Sequence, residues 1–172
     1  RYDECIKIWE EEVELLPREN LMRRMIEPYI AGARYHMGQI KSDVEYFAQR
    51  GDIESMLYCS YLSGERISAV KALSMICESN PNHPHITKAL QKCVRQMEPD
   101  LYWDWDHPFT VTPEYNDLCS LCDRMIRSSE VTDKAIWYYT RAFLYDLVKD
   151  TWMAMRYLKL AEGQKCSQFL KE

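Results

Sequence analysis

Apolar residues along this chain recur every three or four positions in one stretch after another, the period of a helix with a single buried stripe. In residues 2–17, Cys5, Ile8, Trp9, Glu12, Val13 and Leu16 fall on one face, acidic residues separate most of them, and Pro17 ends the run. Residues 18–37 are helical again. Pro28 fits the first turn of a helix running through Tyr29, Ile30, Ala33 and Met37, where a missing N–H costs nothing, the alternative being a kink in one long helix. Gly38 closes that element, Ser42-Asp43 cap the next, and Gly51 ends it. Asp52 caps a helix that stops at Gly64. A further helix, with the small residue Ala69 facing inward, runs to Asn80-Pro81.

Beyond a proline-bounded turn, residues 85–97 form another amphipathic stretch, and then the pattern breaks. Residues 99–113, PDLYWDWDHPFTVTP, hold three prolines and two tryptophans without any helical period, and are predicted to be an ordered loop. Thr112 followed by Pro113 opens the next helix, Thr132-Asp133 the one after it, and Asp150 or Thr151 a last helix through residue 170. The expectation is an all-α protein of about eight to nine helices with short connections.

The stop signals also recur. Cys5 and Pro17 are 12 apart, as are Ala69 and Pro81, and a bulky residue follows each small one by four (Trp9, Leu73). Pro17 to Pro81 spans 64 residues, close to two periods of about 34. The register continues at Ala154 and Leu158, with Cys166 where a third proline would stand; the aromatic loop supplies nearly all the excess length. On these residues the chain resembles the tetratricopeptide-repeat family. The best unit is 53–81, with Gly64, Ala69 and Pro81; the second is 135–166, where Ala142, Tyr145, Asp150, Ala154 and Ala161 match and the proline is missing. AQRGDIESMLYCSYLSG has the flavour of the related Sel-type repeat.

The resemblance implies an alpha-alpha superhelix: a right-handed solenoid of antiparallel helix pairs packed through small residues, here one domain over residues 1–172 with an aromatic insertion. Because the chain opens on what looks like the second helix of a unit, it is expected to be a piece of a longer protein. The resemblance also implies a concave face lined by Glu54, Tyr58 and Tyr61 from one unit and Tyr139, Phe143 and Asp146 from another. Trp103 and Trp105 in the loop are candidate anchors, since Trp and Tyr dominate binding hot spots, or else fold back with Phe109 to cap the stack.

Composition narrows the functions. A net charge of −5 disfavours nucleic acid as a partner, and no apolar run reaches the length of a membrane-spanning helix. The 7 cysteines are odd in number and show no framework spacing, and no Asn-x-Ser/Thr sequon occurs, which suggests a reducing, cytoplasmic setting. Cys119 and Cys122 form a C-x-x-C that Cys93 and His107 could complete as zinc ligands. A second tight pair is missing, however, and the thiols share an apolar face with Leu118 and Met125, so buried core thiols are expected and no metal or cofactor. His83, His85 and His107 sit in proline-containing turns with no acid or nucleophile at a useful spacing.

The function expected is therefore non-catalytic: a protein–protein interaction scaffold that binds a peptide or protein segment in the concave groove. Acidic and aromatic groove positions favour a basic or apolar segment over a C-terminal carboxylate. The alternatives are a ligand- or peptide-sensing module of a larger signalling or transcription protein, and a structural subunit of an assembly.

Overall fold

The computed structural model describes residues 1–17, 20–39, 43–98 and 109–164. Among these the protein is all-helical, with nine α-helices and no strand. None of them is long and apolar enough to cross a membrane. Residue contacts group the chain into two compact units, Arg1–Ser79 and Asn80–Glu172.

The first unit contains α1 (Tyr2–Glu14), α2 (Leu21–His36), α3 (Asp43–Gln49), α4 (Ile53–Ser63) and α5 (Ala69–Ser79). Ile6 and Val13 of α1, with Trp9 between them, pack against Ile26, Ile30, Ala33 and Met37 from α2 and its C-terminal turn. Arg34 and Glu10 pair across the same two helices. Cys5 is exposed, not inward as its spacing suggested, because the buried stripe runs one residue later, through Ile6. Pro28 does not open a helix either. Asn20 caps α2, its Oδ1 accepting from Met22 N at 2.8 Å, and Pro28 lies inside the helix with its ring fully buried. Its missing N–H forfeits one intrahelical bond, and packing of the ring offsets that loss.

The remaining helices of this unit behave as the local chemistry dictates. Gly38 ends α2 with φ +69°, and Gln39 N reaches back to Arg34 O at 2.8 Å, a six-to-one closure. Ser42 lies outside the described residues; Asp43 is the first residue of α3. Asp52 caps α4 through Ser55 N at 3.2 Å and Ser55 Oγ at 2.7 Å, and Gly64 ends it with φ +81°. Phe47, Met56, Cys59, Ala72, Leu73 and Ile76 are almost wholly buried where α3, α4 and α5 meet. Ala69, with only a Cβ to accommodate, is buried there too.

The second unit contains α6 (Ile86–Met97), α7 (Pro113–Arg127), α8 (Ala135–Leu147) and α9 (Thr151–Glu162). Buried positions on α6 are Ile86, Ala89, Leu90, Cys93 and Met97, an uninterrupted stripe. Thr112 caps α7 through Tyr115 N at 3.2 Å with Pro113 in the first turn, and Asp150 caps α9 through Met153 N at 3.1 Å. α8 packs on both α7 and α9, burying Trp137 and Leu144 completely and the small residues Ala142, Ala154 and Ala161 nearly so. α9 ends at Glu162 with a turn at Gly163, short of the expected residue 170; Cys166 lies outside the described residues. Lys149 turns the chain between α8 and α9 in a left-handed conformation, φ +62°.

The start of α8 also differs from expectation. Its N-cap is Lys134, which makes no side-chain cap, and Thr132 is engaged elsewhere. Asn82 Oδ1 accepts from both Thr132 N and Thr132 Oγ1 at 2.8 Å, while Asn82 Nδ2 donates to Glu130 O at 2.8 Å. One amide thus fastens the turn before α6 to the loop before α8.

Candidate functional site

Six of the eight expected binding residues fall on two helix faces, one in each unit. On α4, Glu54, Tyr58 and Tyr61 stand at i, i+4 and i+7, opposite the face that buries Ile53, Met56, Cys59 and Ser60. Tyr61 is 57% exposed, with the Arg66 guanidinium 4.9 Å from its ring centre. Tyr58 and Glu54 are half-buried. The Tyr58 hydroxyl is hydrogen-bonded to that of Tyr29, and their rings meet edge to face with centres 5.7 Å apart. Trp9 continues the row at 6.1 Å from Tyr29. The bond to Tyr29, ahead of partial burial, pushes the Tyr58 phenol above its ordinary range. An aromatic row from three helices therefore holds Tyr58 in one orientation. Spacing alone does not show it, because the row joins residues of three separate helices.

On α8, Tyr139 and Phe143 are half-buried and Asp146 is exposed, again at i, i+4 and i+7. The flank of the same helix carries a polar cluster that the sequence did not suggest. Arg141 Nε and Nη2 donate to the two oxygens of Asp123 at 3.0 and 3.4 Å, and Nη1 lies 3.2 Å from Cys119 Sγ. The guanidinium carbon is 4.4 Å from the centre of the Tyr145 ring. Burial, the largest single influence, acts to lower the Arg141 pKa, but the Asp123 hydrogen bonds together with the charges of Cys119, Asp123 and Tyr145 outweigh it and the net direction is up. Burial likewise raises the Cys119 thiol, with Arg141 opposing. It pushes Cys122 well up, with Cys119 adding. Raised thiols are poor nucleophiles and poor ligands, so this arrangement suits a packed ion pair. Among the described residues no three His, Cys, Asp or Glu side chains converge as metal ligands; His107 lies outside them, as do Trp103 and Trp105. Phe109 packs on Tyr115, ring centres 5.3 Å apart.

A cleft of about 490 Å³ opens in the second unit beside the Asn82 clamp. Ile86, Ile136 and Trp137 form its apolar wall, and Asn82, His83 and Asp133 its polar side. His83 Nδ1 accepts from His85 N at 3.1 Å. Burial, and then the charge of His85, lower the His83 pKa. Asp133 Oδ1 is buried and receives no hydrogen bond.

No protein-family model matches this chain, and no curated protein or solved structure does either.

Proposed function

We propose that the chain is a non-catalytic scaffold, a tetratricopeptide-type helical repeat whose exposed aromatic faces bind a peptide or protein segment. The observation that carries this reading is the state of the face on α4. Tyr61 stands largely in solvent although its helix is well buried on the other side, and Tyr58 beside it is held by Tyr29. An aromatic already fixed in one rotamer loses little entropy when a partner covers it, which is what makes such residues effective anchors. The face on α8 repeats the spacing, with Tyr139 and Phe143 half-buried and Asp146 exposed. Glu54 on one face and Asp146 on the other, in a chain of net charge −5, favour a basic or apolar segment.

The test compares partners recovered from native lysate by the wild-type chain with those recovered by Tyr61→Ala and by Tyr139→Ala. Loss of specific partners by variants with unchanged circular dichroism supports the scaffold. Equal recovery by both folded variants removes these faces from the reading.

A further inference from the structure

Asp133 is the polar group that the fold of the second unit does not use. It sits one residue before the N-cap of α8, too early to cap the first turn, and that helix has no side-chain cap. Asp133 Oδ1 is buried without a donor, and the residue makes no hydrogen bond or ion pair among the described residues. Buried polar atoms are nearly always partnered, so an unpaired carboxylate in the wall of a cleft calls for a countercharge. The basic residues nearby do not supply it. Lys88 lines the same cleft but is exposed and unpaired with Asp133, and Lys134 follows it in sequence without bonding to it. His83, on the polar side, is held towards its neutral form, so it neither neutralises the acid nor repels a cation. Pro81, Pro84, Ile86 and Ile136 line the same cleft, an apolar surface suited to methylene groups. The Asn82 clamp fixes both loops that bear these groups, so the cleft is preformed.

We propose that this cleft binds an alkylammonium group, its nitrogen against the Asp133 carboxylate and its carbon stem along Pro81, Pro84, Ile86 and Ile136. The nitrogen meets the carboxylate at its open edge, and a small rotation of the carboxylate brings the buried oxygen into the same bond. The group can belong to a free amine or to a lysine side chain. The site stands independently of the scaffold reading, since it involves neither aromatic face.

The test is a titration of the full chain, methyl-labelled at isoleucine, with n-pentylamine, n-pentanol and Nα-acetyl-lysine methylamide. Saturable shifts of the Ile86 and Ile136 methyls with pentylamine, and none with pentanol, support the site. Asp133→Asn should weaken that binding at least about tenfold, the share of one charge-assisted hydrogen bond, with the rest of the methyl spectrum unchanged. Binding of both amines indicates a lysine-accepting site, and binding of pentylamine alone a free-amine site. Equal shifts from pentanol, unaltered amine binding by Asp133→Asn, or no saturable shift with either amine overturns the proposal. The pentanol comparison needs no variant and decides the matter if Asp133→Asn fails to fold.

Discussion

The ion pair between Arg141 and Asp123 is asymmetric, and the asymmetry makes a sharp prediction. The arginine side chain is 11% exposed and the aspartate 33%. Asp123→Ala strands the more buried charge. Among the described residues the guanidinium then keeps the Cys119 sulfur and the faces of Tyr145 and Tyr157. Breaking a buried pair from one side costs about 3–5 kcal/mol, and access of water at the open Asp123 end reduces this to about 2–3 kcal/mol. Arg141→Met does the reverse. Methionine keeps an apolar stem between the rings, Asp123 rehydrates through its exposed edge, and the lost cation–π contact is worth about 0.5–1 kcal/mol. The total is about 1 kcal/mol. With an m-value of about 2 kcal/mol/M in urea, the two variants should unfold at midpoints separated by about 0.5–1 M, Asp123→Ala the lower. Urea titrations followed by far-ultraviolet circular dichroism measure this directly. Equal midpoints, or a lower one for Arg141→Met, would refute the argument that burial of the arginine sets the cost.

Other expectations follow from single features. Gly64 and Lys149 both adopt positive φ, so Gly64→Ala should cost about 1 kcal/mol and Lys149→Gly should add up to about 1 kcal/mol; nothing lies within 4 Å of a Cβ built at Gly64, so only the backbone contributes there. Thermal melts giving both substitutions the same sign would contradict this. Burial raises the Cys59 thiol to about 12 and the Tyr115 phenol to about 12. The folded protein holds these protons after the unfolded chain has lost them, so their contribution is complete below about pH 8.5 and falls as pH rises towards 12. Urea midpoints that stay level or rise across that window would count against it. Finally, a thiol reagent applied to native protein should label exposed Cys5 well before the buried Cys59 and Cys122, as peptide mapping by mass spectrometry would show; equal rates would mean that those two thiols are not enclosed.

What the sequence disclosed was mostly local. Asp52, Thr112-Pro113, Asp150, Gly38 and Gly64 each act within one turn of where they stand, and the structure uses them as their chemistry suggests. The structure departs from the local signals where a distant contact decides the outcome. The stripe on α1 could be drawn through Cys5 or through Ile6, and only packing against α2 selects the latter; Glu12, exposed in the structure, was the sign that the first choice was wrong. Pro28 could open a helix or lie within one long helix, and its burial among other side chains goes with the second. Thr132 looked like a cap, but Asn82, fifty residues earlier, claims it. The cleft and its unpaired acid follow from that same long-range contact. The aromatic positions on α4 and α8 rest on the resemblance to the repeat family, whereas the Trp9–Tyr29–Tyr58 row needs three helices to be placed.

Asn82 also makes the protein sensitive to its own chemical age. Its carbonyl oxygen takes two donors while its nitrogen gives one, so the amide cannot be replaced by a group of the same shape and opposite polarity. Deamidation makes exactly that replacement. It sets an acceptor oxygen against the Glu130 carbonyl and releases the loop before α8. A stored sample, unchanged in length and almost unchanged in mass, should therefore lose the geometry beside Asp133 before it loses its helices.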